Sequence, residues 1–307
     1  MEQQKNAWRV MLLMIAAGAM ISLAGCGGGG GGGTAGANGT ISGSVIKGPV
    51  DGAAVAAYGI SSNGTVGPQL ATAMTDSAGN FSLTVGSYAG SVMMQVSGGS
   101  YMDEATGVPM TLYSGDVMTS VIPVMISGET MTGIQVTPLT SMAQRMAQNM
   151  AGQMTSANIT SANTAVGHYF SISDILHIRP MDPTVSGSGT GATADEKNYG
   201  MTVAAMSQEA KALSMSSSSG MVTAFMDDAS DGVMNGMMGS TSIVMNGMGG
   251  GGMMGSMSST AGTTGLASAM ATFMTNTAVN RSEITTSDVD ISALMNKLNS
   301  APTQTIQ

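Results

Sequence analysis

Over the first half of the chain apolar and polar residues alternate in short runs, and over the second half apolar residues recur at intervals of three and four. Between Thr40 and Thr137 the runs are short, β-branched and separated by Gly, Asn, Asp and Pro, the pattern of strands closed by turns. Strands are predicted at 40–46, 53–58, 80–85, 91–96, 121–126 and 131–136. In Asp76-Ser77-Ala78-Gly79-Asn80-Phe81, Asp76 and Gly79 suit a tight turn, after which Phe81, Leu83 and Val85 share one face at a period of two. At Thr137-Pro138 the period changes. Thr137 suits a helix cap and Pro138 a first helical position, and Met142, Met146, Met150 and Met154 then recur every four residues as a core-facing stripe. Further helices are expected at 161–170, 193–215, 220–233, 265–279 and 288–298. In the helix at 193–215, Val203, Met206, Ala210 and Leu213 form a face that should pack against the first helix. Gln208, Glu209 and Lys211 fall off that face, and Asp195 and Glu196 lie near the start, where the dipole favours acids.

The expected architecture is α+β in two domains: an antiparallel β-sandwich over 40–136, followed by an all-α bundle. The second part divides into a helical domain at 137–233, a Met- and Gly-rich loop at 234–262 and closing helices at 263–300.

The amino terminus has a different character. Lys5 and Arg9 precede a nearly unbroken apolar run at 11–23, and the small residues Ala24 and Gly25 precede Cys26, so 1–25 reads as a signal peptide. A run of about 13 residues is too short to cross a hydrocarbon core of about 30 Å. Leu23-Ala24-Gly25-Cys26 resembles the lipobox of bacterial lipoproteins, which implies cleavage before Cys26 and a diacylglycerol on its sulfur. Acyl chains contribute roughly 0.8 kcal/mol per buried methylene, enough for stable anchoring when two or three are present. The glycines at 27–33 cannot hold helix or strand, so 26–39 is a lipidated, flexible tether. The residue after the lipidated cysteine is Gly27 and not Asp, which by resemblance to Gram-negative lipoproteins implies sorting to the outer membrane.

Charge narrows the partners. Taking Lys5 and Arg9 from the nine basic side chains, and Glu2 from the eighteen acidic ones, leaves 7 against 17, a net charge of −10. No basic stripe interleaved with aromatics exists, so nucleic acid is excluded as a partner. The expected partners are the membrane, through the lipid, and a protein or surface ligand that the residues do not identify.

Gly43-Ser44-Val45, then Gly48-Pro49-Val50 with Ala53, Val55 and Ala57, then Thr75-Asp76 to Phe81, resemble the carboxypeptidase-regulatory-like, transthyretin-type sandwich. The resemblance implies a non-catalytic spacer or binding unit on an exported protein. Val136-Thr137-Pro138-Leu139-Thr140, Ala162-Asn163-Thr164-Ala165-Val166, Met181-Asp182-Pro183-Thr184 and Asn198-Tyr199-Gly200 resemble a family of uncharacterised bacterial surface lipoproteins. That resemblance implies a sandwich preceding a helical domain and no agreed activity.

Candidate chemistry is sparse. Asp76, Asp103, Glu104 and Asp116 offer oxygens to calcium, but no Asp-x-Asp-x-Asp-Gly ladder supplies the six to eight ligands that ion takes. The preferred reading is that Asp76 caps its turn and that Asp103 and Glu104 sit on a solvated loop at 101–107. Of the two histidines, His168 falls at a helix end and His177 in a loop beside Arg179, and there is no Gly-x-Ser-x-Gly elbow, zinc spacing or Walker loop. No catalytic residue and no enzymatic activity are expected. The remaining oddity is the methionine content, 33 residues, and especially Met234, Met237, Met238, Met245, Met248, Met253, Met254 and Met257, which are embedded in Gly, Ser and Asn without a helical period. Thioethers that converge are soft ligands for Cu(I). The primary expectation is a non-enzymatic, lipid-anchored envelope protein acting as a surface binding or structural module. The alternative is a Cu(I)-binding or buffering lipoprotein, and a third reading makes the methionines an oxidant sink.

Overall fold

The structure is a computed structural model, and it describes residues 37–112, 115–245 and 255–307. The expected leader, Cys26 and the glycine run, with Met248, Met253 and Met254, lie outside the described residues.

The chain is mixed α+β. Its strand-rich half runs β1 (Gly39–Val45), β2 (Ala54–Ile60), β3 (Val66–Met74), β4 (Asn80–Gly86), β5 (Gly90–Ser97), β6 (Ser100–Met102), β7 (Pro109–Thr111), β8 (Met118–Met125) and β9 (Thr130–Val136). The predicted strands are present with ends displaced by a few residues. β3, which sequence reasoning did not identify, is an edge strand with no fully buried residue, so it has no alternating apolar face to read. One large sheet has the order β4-β1-β9 and the other β3-β2-β5-β8, and β6 pairs with β7 as a separate two-stranded ribbon. The expectation of a purely antiparallel arrangement is corrected by β9, which pairs with β1 in parallel after the chain has passed through the other sheet.

Phe81, Leu83 and Val85 of β4 and Ile41 and Val45 of β1 face Val55, Ala57, Val92, Met94 and Val96 across one core between the sheets. The opposite face of the four-stranded sheet is buried as well. Tyr58, Ile60, Met93 and Val121 belong to a second core shared with the helices, which is why β5 has apolar residues on both faces.

The helices are α1 (Pro138–Asn149), α2 (Ser156–Tyr169), α3 (Ala194–Ala212), α4 (Ser219–Ala229), α5 (Leu266–Thr275) and α6 (Val289–Leu298), with a π-helical turn at Ala261–Gly265. Three caps follow their residue types. Thr137 forms a capping box with Thr140, Thr193 forms one with Glu196, and Asp288 accepts from the first amides of α6. The methionine stripe is only partly helical: α1 ends at Asn149, Met150 is its C-cap, and Met154 enters the core from the following loop.

α1 and α2 also close an open sheet edge. β8 is the last strand of its sheet, and its outward backbone groups are taken by side chains. The Thr119 amide donates to Ser141 Oγ at 2.8 Å, the Thr119 carbonyl accepts from Thr140 Oγ1 at 2.8 Å, and the Val121 carbonyl accepts from Asn163 Nδ2 at 3.1 Å. Gly36–Gln307 is accordingly one compact unit, and the boundary expected at 136/137 falls inside it. α3 packs chiefly on α5 and α6, where sequence reasoning placed it against α1, and it is buried almost all round from Asn198 to Gln208. Among the described residues no helix is long and apolar enough to cross a membrane.

Candidate functional site

Asp103 and Glu104 are not on a solvated loop. The segment Tyr101-Met102-Asp103-Glu104-Ala105-Thr106-Gly107 joins β6 to β7, and α3 lies over it, so both acids are at most 2% exposed. Lys211 on α3 fixes the loop by donating to the Ala105 carbonyl at 2.8 Å. Asp103 shapes it from within, accepting from the Thr106 amide at 2.9 Å and its hydroxyl at 2.8 Å.

Opposite the two acids stands Lys47, fully buried in the turn after β1. Its Nζ lies 2.7 Å from Glu104 Oε2 and 3.9 Å from Asp103 Oδ2, and it also donates to Ser207 Oγ on α3. Ser207 in turn donates to Glu104 Oε2 at 2.5 Å. The ammonium rests 5.3 Å from the centre of the Tyr101 ring, a cation–π contact. The Tyr101 hydroxyl reaches Ser218 Oγ at 2.9 Å, and Ser218 donates to Asp103 Oδ2 at 2.5 Å. Ser219 extends the network to Asp116 Oδ2 at 2.5 Å. The network thus joins the turn after β1, the β6–β7 loop, α3 and the start of α4.

Burial pulls the Lys47 pKa down, but Glu104, Tyr101 and Asp103 more than offset it, so the ammonium is held above its ordinary range. Burial pushes the Glu104 carboxyl up, and Lys47 only partly opposes this. Both directions follow from one ammonium serving two carboxylates. Sequence reasoning missed Lys47 because a single Lys in a turn carries no signal until the acids 57 residues later are folded onto it.

The residues of the two family resemblances meet beside this network. A cavity of about 10 Å³ is lined by Glu104, Gly48, Met181, Asp182 and Gly200, among others. Gly200 is required there, because a Cβ at that position would stand 2.0 Å from the Met181 carbonyl oxygen. Its neighbour Tyr199, fully buried, places its hydroxyl 2.6 Å from Thr137 Oγ1 and donates to the Ile175 carbonyl at 3.0 Å. A larger surface groove of about 300 Å³ lies elsewhere, lined by residues such as Thr190, Glu283 and Asp288. There Asp288 already caps α6 and pairs with Lys197 at 3.0 Å, and the hydroxyl of the buried Ser282 donates to Asn280 Oδ1 at 2.6 Å.

A second acidic pair was also missed. Glu209, expected off the apolar face of its helix, is largely buried with Oε2 unpartnered, and its pKa is raised to about 8, first by burial and then by Asp228. Asp228 is raised to about 6 by burial. Its Oδ1 accepts from the amides of Asn235 and Gly236 at 2.9 and 2.7 Å, while Oδ2 has no partner. The two carboxylates rest against Gly265 and Gly262 of the π-helical turn, and Tyr169 donates to the Gly262 carbonyl at 2.9 Å.

The other sequence candidates do not converge on these sites. Asp76 caps its turn as expected, accepting from the amides of Ala78 and Asn80, which holds its carboxyl below the usual range. His168 is exposed in the last turn of α2. His177 pairs with Asp174 at 2.7 Å, which raises the His and lowers the Asp, while Arg179 reaches instead to Ala78 and Asn80. Met234, Met245 and Met257 are buried in the helical core, which corrects the view that loop methionines of this segment lie outside any core. They reach it because short hairpins at Met237–Met238 with Thr241–Ser242, and at Val244–Met245 with Gly255–Ser256, fold the segment back onto α4. Met237 and Met238 are half-buried. Among the described residues no three His, Cys, Asp or Glu side chains gather as a metal cluster.

Comparison with families of known proteins finds no match, and comparison with curated proteins finds none either. Among solved structures, 33% of the chain aligns with 16% of a 9R-lipoxygenase from Cyanothece PCC8801, at 12% identity and a TM-score of 0.21. The chain thus spans about a sixth of that enzyme's length, and a likeness of this size carries no argument.

Proposed function

We propose that the chain is a lipid-anchored protein of the bacterial cell envelope, held at the outer membrane through Cys26 and serving there as a non-enzymatic binding or structural module. The observation that carries the reading is the order of parts: the Leu23-Ala24-Gly25-Cys26 lipobox, a run of glycines, and then a compact unit beginning at Gly36. A lipidated cysteine and a glycine-rich spacer ahead of a folded body is the order of parts that a surface module requires. In this reading the two sheets form a carboxypeptidase-regulatory-like sandwich, supported by their common apolar core, and the helices form the second part implied by the lipoprotein resemblance. The absence of enzymatic activity is supported by how the charged groups are used. Lys47 donates to Ser207 and pairs with Asp103, and Ser218 donates to Asp103, so these groups are taken up in links between elements, which is structural work.

The test is fractionation of cells expressing the wild type and Cys26→Ala. The wild type is expected in the outer membrane, shorter by the leader and released only by detergent, and the variant as an unprocessed chain of altered partition. Unchanged size and membrane association in Cys26→Ala would sink the proposal.

A further inference from the structure

The chain enters the folded body at one end of the sandwich. Ala37 packs beside the turn between β8 and β9: a Cβ on Gly128 would stand 2.8 Å from the Ala37 Cβ, and the Thr40 amide donates to the Glu129 carbonyl at 2.9 Å. The strand pairings bring three loops to this end, 61–65 after β2, 86–90 after β4 and 126–129 after β8, because Ile60 pairs with Ser91, Gly90 with Met125 and Gly39 with Gly86. Residues 150–155 join them, since the Met154 amide donates to the Gly64 carbonyl at 3.3 Å. Val124 and Ile126 project from this end, 56% and 66% exposed, on either side of the buried Met125.

Charge is distributed the opposite way. Although the chain is strongly acidic, residues 37–39, 61–65, 86–90, 126–129 and 150–155 together contain one charged side chain, Glu129. Its Oε2 accepts from the Ile126 amide at 2.7 Å, so the carboxylate is used in closing the turn. Asp51, Asp76, Asp103, Glu104 and Asp116 all fall at the other end of the sandwich, about 20 Å away along the seven residues of β1. Met74, Met102 and Val108 are exposed too, but at the end that holds these acids. An apolar pair on an almost uncharged end suits a lipid surface, where a carboxylate would have to give up water and would be repelled by anionic headgroups. The position of the anchor agrees. Ala37 follows Cys26 by eleven residues, which holds it within about 40 Å of the lipidated sulfur.

We propose that this end of the sandwich lies against the lipid surface that holds the anchor, with Val124 and Ile126 set among the headgroups and upper acyl chains. The inference rests on the lipid-anchored reading and adds an orientation to it. Two side chains are too few to hold the body at a membrane by themselves, so the acyl chains bring it there and the β8–β9 turn fixes which end meets the lipid. The acidic end is thereby turned away from the membrane.

The experiment uses indole fluorescence to report contact with lipid. The one tryptophan, Trp8, falls in the leader, so Ile126→Trp and Val124→Trp each give a processed chain with a single indole, and Val108→Trp gives the same at the acidic end. The acylated chains are incorporated into phosphatidylcholine vesicles, with or without lipid brominated high on its acyl chains, and recovered by flotation. Ile126→Trp and Val124→Trp are expected to emit to the blue and to be quenched several-fold more by the brominated lipid than Val108→Trp, which should stay open to aqueous acrylamide. Chains that float yet show equal quenching at both ends, or none at either, overturn the orientation and leave the anchored reading standing. Blue emission from Ile126→Trp that the lipid does not quench, and that grows with protein concentration, assigns the face to a second copy of the chain and overturns the orientation as well. Chains that do not float sink the anchored reading and this inference with it.

Discussion

Glu209 and Asp228 make stability depend on pH in a direction opposite to that of most carboxylates. Their folded pKa values, about 8 and about 6, lie above the ordinary 4.5 and 3.8, so the folded chain holds protons that the unfolded chain has released. Their contribution is complete below about pH 4 and is lost as pH rises through the folded values. Urea unfolding is therefore expected to show stability falling between about pH 4 and 8, and Glu209→Gln, which keeps the neutral shape, should flatten most of that slope. An unchanged slope in the variant would place the protons elsewhere. Gly200 offers a second test. With the Met181 carbonyl oxygen 2.0 Å from where a Cβ would stand, backbone must move, and Gly200→Ala is expected to cost about 1–3 kcal/mol despite the better helix propensity of Ala. A gain in stability by urea titration would show that the helix and the 181 segment part easily. At this scale the sequence was legible where a residue acts on its immediate neighbours, as Asp76 and Thr137 do. It was not legible for Asp103, Glu104 and Glu209, whose burial depends on elements packed over them from about a hundred residues away or on a helix being enclosed on all sides.

Elements were read well where one buried face sets a period of two, as in β4, or where a cap and apolar residues every four positions mark a helix, as at the start of α1. The reading weakened where burial is absent, as in β3, which leaves no contrast to detect, and in α3 the helix was found but its packing partner was not, because it is buried on every side. The methionine-rich segment failed for another reason. Its hairpins have strands of two residues, too short to show any period, yet they deliver Met234, Met245 and Met257 into the core. Met234 is fully buried with its methyl group against Gly262, so Met234→Ala is expected to cost about 2–5 kcal/mol, whereas Met234→Leu, nearly conserving volume, should cost less than about 1.5. Denaturant midpoints of the two variants check this. If Ala were tolerated as well as Leu, Met234 would be a replaceable loop residue, and its thioether would again be open to a role as a metal ligand.

At the scale of the whole molecule, the question is whether sheets and helices have separate stabilities. The compositional shift at Thr137 suggested a boundary, because strands give way to helices there, but a change of period marks a change of element and does not require a change of core. The four-stranded sheet is the shared layer: Val92, Met94 and Val96 face the other sheet, and Tyr58, Ile60, Met93 and Val121 face the helices. Lys47, Glu104 and Asp103 add a charged link to the helices through Ser207 and Ser218, and separation would strip both hydroxyls from the cluster and expose it to water. Stripping away the helices would also leave Thr119 and Val121 with open edge groups and uncover one face of the sheet. Neither half is therefore expected to persist after the other has melted. Calorimetry on the full chain should give one transition with matching calorimetric and van't Hoff enthalpies, and near-UV and far-UV signals should change together. A fragment ending at Val136 should fail to give a cooperative transition, since its second sheet would present an apolar face and an unpaired edge to water. Two resolved transitions, or a fragment that melts cooperatively, would mean that the apolar contacts across that face are weak and that the sheet pair is an independent module after all.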